Sequence, residues 1–235
     1  MTAHVTDDTA ARAEFGVPTT ELAVAADALA ASVSPDFTYH HCVRSYLFAR
    51  EIAAASGLRA DIDYDDELVY VACLLHDLGA TEFADTDQRF EVDGADAAAE
   101  FLTARGVDPA RVKQVWDAIA LHTSDGIAHR FGPVAAVAQQ GIATDIMGAF
   151  RDRLTPEFAA RVHAAWPRLD VGYALPAVIA AQVHANPAKS SPMNFASHLH
   201  RLYYPGEAPA LTWFDLVEAA GWGDKPVGPD RPSRR

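Results

Sequence analysis

A carboxylate at the end of an aliphatic run constrains this chain more than any other feature. Leu74-Leu75-His76-Asp77-Leu78-Gly79 places two adjacent metal-capable side chains where a core-filling helix runs out, followed by a glycine that can stop it. Burying Asp77 is costly unless a cation meets it. Neighbouring side chains diverge in mid-helix, but at a helix end His76 and Asp77 can converge on one ion. Any fold for this chain must bring further ligands, or a positive side chain, to that point.

The surrounding sequence is helical. Residues 20–33 open on a Thr cap and close before Pro35, 38–56 end at Gly57, and 65–78 start with Asp65, Asp66 and Glu67 at the positive helix end. Further helices fit 93–105, 109–122 with Pro109 in the first turn, 133–149, 155–166, 173–185 and 211–220. A polar segment, 80–92, follows the His-Asp pair. No segment alternates with period 2 over a strand's length. The expectation is an all-α, single-domain helical bundle over residues 19–220, with a flexible N-terminal segment (1–18) and a flexible C-terminal tail (221–235).

Helical faces supply candidates for the other ligands. His41 shares a face with Phe37, Phe48 and Ile52, whereas His40 is rotated by about 100°. Taken alone, His41 reads as a satisfied core or surface histidine. His122 ends the stripe Val112, Val115, Ile119, and the helix C-terminal dipole is an alternative reason for it. Asp145 lies on a face of small and apolar residues with Val134, Val137, Ala138, Gly141 and Gly148. Either an Arg or a metal must meet it there, and the presence of His76 and Asp77 favours the metal. Two imidazoles and two carboxylates make a site suited to zinc, iron, manganese or nickel.

Charge and cysteine usage narrow the class. The formal net charge of -13 argues against nucleic acid or an anionic membrane as partner, since both need clustered Lys and Arg. Cys42 and Cys73 lack a Cys-x-x-Cys spacing and read as reduced core residues. Met1 to Arg12 has no apolar block and no run approaches a membrane span, so a cytoplasmic protein is expected. A small molecule is the expected partner, and a homo-oligomer is compatible with the helix-rich, Trp-bearing C-terminal segment.

The order His…His-Asp…Asp on successive helices resembles the HD-domain metalloprotein superfamily, and within it the cyanamide hydratase-like branch. The resemblance is carried by His41-Cys42-Val43-Arg44-Ser45-Tyr46, His76-Asp77-Leu78-Gly79 and Phe90-Glu91-Val92-Asp93-Gly94-Ala95. Trp116-x-x-Ile119 leading to Leu121-His122-Thr123, Gly141-Ile142-x-x-Asp145 and, more loosely, Pro167-Arg168 and Asn186-Pro187 extend it over roughly residues 20–190. The resemblance implies His41, His76, Asp77 and Asp145 as metal ligands, zinc as the metal, and Arg44 as a pairing residue near the carboxylates. Ala80 stands where cyclic-dinucleotide phosphodiesterases carry Lys, and Asn186 precedes the proline where Lys is expected.

The function so implied is addition of metal-activated water to a small nitrile-type substrate such as cyanamide, giving urea. Asp77 serves that chemistry as well as the metal. His122 is the first candidate for the proton shuttle, with Glu91 and Thr81 next. Glu91 equally reads as a salt bridge to Arg89 or Arg105, and Thr81 as a turn cap. His129 and Phe90 are the candidates for the substrate pocket. The rival readings are a phosphohydrolase of the wider superfamily, a two-iron oxygenase using His122 and His129, and a domain whose metal is structural.

Overall fold

A computed structural model describes residues 9–207 and 212–223. The expected C-terminal tail lies outside the described residues from position 224 onward, as do positions 1–8 of the expected N-terminal segment. Among the described residues there are eleven α-helices and no strand, so the fold is all-α. None of these helices is long and apolar enough to cross a membrane.

The helices begin where side chains can satisfy their first N–H groups. Thr20 caps α2 (Glu21–Val33), accepting from the Ala23 N–H at 3.1 Å, and Asp65 caps α4 (Asp66–Leu75), accepting from Leu68 at 3.0 Å. Proline occupies the first turn of α6 (Pro109–Ala120), α7 (Pro133–Met147) and α8 (Pro156–Ala165). Between these run α3 (Asp36–Ala55) and α5 (Phe90–Thr103), and α9 (Val171–Ala185) and α11 (Trp213–Ala219) follow.

Two helices are additions to the expectation. One is α1 (Thr9–Phe15), in a segment expected to be loose. Its Arg12 binds Asp27 at 3.0 Å and the Tyr70 hydroxyl at 3.3 Å, and Phe15 meets the rings of Phe158 and Trp166. The other is α10 (Phe195–Tyr203).

α3 and α7 cross at the centre, and α4 packs on both. The crossing is tight because Gly141 has no side chain: a Cβ there would stand 2.0 Å from the Ser45 carbonyl oxygen. Tyr46, Ile52, Leu68, Leu74, Ile119 and Trp166 fill the main core. A smaller cluster joins α9 and α10 to Phe90 and Ala80.

α4 stops at Leu75, and Leu78–Ala80 form a 3-10 turn. That turn lies against the first turn of α5, where a Cβ on Gly79 would meet the Phe90 carbonyl oxygen at 1.9 Å. The glycine after the His-Asp pair is therefore a contact point between two backbones as well as a helix stop. Lys189 fastens the C-terminal region to the same neighbourhood. Its side chain is buried, and its ammonium donates to Asp85 and Asp93 at 2.6 Å each and to the Thr86 carbonyl at 2.7 Å. A buried ammonium persists only with such partners.

Candidate metal centre

Four side chains from α3 and from just past the ends of α4 and α6 come together. His41 comes from α3, His76 and Asp77 follow the end of α4, and His122 follows the end of α6; all four are buried. His41 Nε2 and His76 Nε2 are 3.1 Å apart. Asp77 Oδ2 is 3.1 Å from His76 Nε2 and 3.7 Å from His41 Nε2. One ligand atom from each of these three residues lies within 4.8 Å of the other two.

The hydrogen bonds behind the rings define what faces inward. His76 Nδ1–H donates to the Cys73 carbonyl at 2.7 Å, and His41 Nδ1–H donates to Asp145 Oδ2 at 2.7 Å. Both rings thus direct Nε2 lone pairs at one point. Asp77 Oδ2, also buried, has no hydrogen-bond partner. Three acceptors converging without a donor repel one another unless positive charge sits among them. The donor set fits a divalent ion held by His41, His76 and Asp77.

The titration directions express the same demand. Burial opposes charge on His76, but the Asp77 carboxylate and Cys42 together outweigh it and raise the imidazole well above its ordinary value. Burial also opposes ionisation of Asp77, yet His76, His41 and His122 together hold it below the usual carboxylate range. His41 is lowered, because burial outweighs its bond to Asp145. In the metal-free protein a proton on His76 supplies the missing charge.

A divalent ion must displace that proton. Metal binding at pH 7 is expected to release about one proton, and apparent affinity should rise with pH up to the raised His76 value. Calorimetry in buffers of different ionisation enthalpy checks this. An affinity independent of pH would contradict it.

Asp145, expected as a fourth ligand, instead stands behind His41. Arg44, fully buried, grips both of its oxygens, Nε to Oδ1 at 2.9 Å and Nη2 to Oδ2 at 2.7 Å. Arg168 Nη1 adds bonds to Oδ1 at 3.1 Å and to the Asp145 carbonyl at 2.6 Å. A carboxylate on an apolar face needed a cation, and arginine is the one that meets it. Its service to the site is to keep Nδ1 of His41 protonated and the ring oriented.

Beside the three candidate ligands opens a cavity of about 140 Å³, lined by His41, His76, Asp77 and His122. Phe90, Ile142, Leu175, Ile179 and Phe195 form much of the wall. His122 points Nε2 toward Asp77 Oδ1 at 4.0 Å, while its Nδ1–H is committed to the Ile119 carbonyl. Burial, with the nearby His76, pushes its pKa down to about 4, so the ring is a neutral base at pH 7.

Of the other expected site residues, the structure brings Phe90 to the cavity and leaves three outside its lining. His129 is exposed in the short turn Ala128–Arg130, so it does not join His122 at a second ion. Thr81 donates its hydroxyl to the Leu78 carbonyl at 2.6 Å and caps the 3-10 turn. Glu91 is buried behind the cavity, bound by Arg89 at 2.6 Å and by the Thr123 hydroxyl at 2.6 Å. The expected polar loop ends earlier than anticipated, which puts Glu91 in the first turn of α5 facing those partners. Thr123, Asp125 and the α9–α10 wall were not anticipated, because no ligand pattern marks them.

Residues 38–156 match the HD domain, just over half of the chain. The chain belongs to the HD-domain family. The matched region begins in α3, three residues before His41, and ends at the first residue of α8, so it contains every side chain of the candidate centre. HD domains bind divalent metals and are generally metal-dependent hydrolases. The apolar wall supplied by α9 and α10 lies beyond the HD domain. A search of curated proteins finds no match to the chain.

Proposed function

We propose that this HD-domain protein is a metal-dependent hydratase that adds water to the carbon of a small, uncharged, nitrile-type substrate, with cyanamide to urea as the reference reaction. The observation that carries this reading is the composition of the cavity beside the three ligands. No Lys or Arg lines it, and the charged lining residues other than the histidines are Asp77 and Asp125. A phosphate ester needs cationic groups at its oxygens, and these walls offer none. The cavity volume of about 140 Å³ also favours a small substrate over a nucleotide.

His41, His76 and Asp77 would hold the ion, with zinc first and iron, manganese or nickel as alternatives. Such an ion supplies Lewis acidity and lowers the pKa of a coordinated water to about 7. His122 is placed to move the proton. As a neutral base on the cavity wall it would take a proton from the attacking water and return it to the nitrile nitrogen, so that O–H adds across C≡N. The imidic acid so formed then shifts its hydroxyl proton to nitrogen to give the amide, which is urea for cyanamide. Its Nδ1–H bond to Ile119 leaves Nε2 as the working nitrogen. Asp145 holds His41 in the tautomer that presents Nε2, and the wall of the cavity is largely apolar.

Metal-loaded protein given cyanamide should form urea, while aryl phosphates and nucleotides should remain intact. Turnover of a phosphate ester with no hydration of cyanamide or any small nitrile would replace this reading with phosphohydrolysis.

A further inference from the structure

We propose that a second site, for a small oxyanion, lies in the groove beside the C-terminal end of α7. The groove has a volume of about 890 Å³ and is bounded by the C-terminal end of α7, the turn Arg151–Arg153, α8 and Arg168. Ile146 and Met147 line both this groove and the metal-side cavity, so they are the partition between them.

Three nitrogen-bearing side chains from three segments line this groove. His163 presents an Nε2 that is shielded from solvent yet has no hydrogen-bond partner, a condition that calls for a ligand atom. Arg151 has no ion pair or side-chain hydrogen bond among the described residues, and it is exposed in the groove. Arg168 reaches Asp145 through Nη1, but the charge of Asp145 is already met by the two-point grip of Arg44. Asp152 also lines the groove and offsets one of these charges. The remainder is a local positive excess on a chain of net charge -13.

Two guanidinium groups lining one groove with an unpartnered imidazole nitrogen are suited to a carboxylate or phosphate group, which accepts several N–H bonds at once. An anion seated here touches Arg168, and through it Asp145, the carboxylate that orients His41. The groove is therefore adjacent to the metal centre in bonding terms while separate from it in space. This inference stands independently of the proposed hydration.

The test is a titration of the full chain with inorganic phosphate and, separately, with acetate, followed through the His163 ring signals by NMR. The expected result is a saturable shift of His163 that persists after chelator treatment and is weakened about tenfold in Arg151→Gln. A response to phosphate alone assigns the site to phosphate groups, and a response to both assigns it to oxyanions generally. A silent His163, an unchanged affinity in Arg151→Gln, or a response that disappears with the metal would overturn the proposal. Failure of cyanamide hydration would leave these readouts untouched.

Discussion

Asp77→Ala is expected to yield protein that folds but retains no metal and hydrates nothing. Asp77 is the one anionic ligand among the three converging side chains; without it two neutral imidazoles remain. Loss even of a residue that merely supports a ligand costs 10- to 100-fold in metal affinity, so removing the charged ligand itself should cost at least about 100-fold. Stability should fall too. In the metal-free protein the Asp77 carboxylate is held ionised by the histidines around it, and its Oδ2 lies 3.1 Å from His76 Nε2. The more conservative Asp77→Asn should therefore bind metal as poorly and unfold at a lower denaturant midpoint than metal-free wild type, because it removes that ion pair. Elemental analysis of protein purified without chelator, set beside denaturant curves, checks both halves. Full metal content and activity in Asp77→Ala would sink the assignment.

Gly141→Ala should be one of the two most destabilising single methyl additions among the described glycines, beside Gly79→Ala. The new Cβ would lie 2.0 Å from the Ser45 carbonyl oxygen, 2.7 Å from the Ala49 nitrogen and 2.6 Å from the Ala49 Cβ. Two of these are backbone atoms of α3, which cannot rotate away as a side-chain end can. The helices must separate, and their separation opens the core on both sides. The expected cost exceeds about 4 kcal/mol, above the usual range for overpacking. The crossing also sets the distance between His41 on α3 and Asp145 on α7, so metal affinity should fall together with stability. Chemical denaturation read beside metal content checks the pair of effects, and a variant within about 1 kcal/mol of wild type would show that the crossing is loose.

Much of the helical frame was legible because its ends are chemically marked. Thr20, Asp65, Pro109 and Pro133 open helices in the structure as they do on paper. α1 was illegible because Arg12 and Phe15 are held by partners distant in sequence, among them Asp27, Tyr70 and Trp166, rather than by local propensity. The convergence of His41, His76 and Asp77 could be anticipated from faces and helix ends. The cation that meets Asp145 was legible only in part. Periodicity marks the need for a positive partner there and favoured a metal, while the family resemblance implied Arg44 as a pairing residue near the carboxylates; the distances give Asp145 to Arg44. Glu91 likewise had two readings, and the position of Arg89 and Thr123 decides between them. Phe195 and Leu175 carry no chemical signature at all, since an apolar wall becomes a substrate surface only once it faces a reactive centre.

The grip on Asp145 has a bearing on the order of events at the ribosome. His41, His76 and Asp77 leave the exit tunnel early, but the carboxylate that orients His41 lies 104 residues further along. Arg168, which fastens that carboxylate from the other side, emerges later still. A nascent chain thus exposes two imidazoles and a carboxylate before it can arrange them, and any ion captured then is held by unconstrained ligands. If these residues hold the metal, its selection would await the docking of α7 on α3, when geometry as well as ligand availability bears on which ion stays.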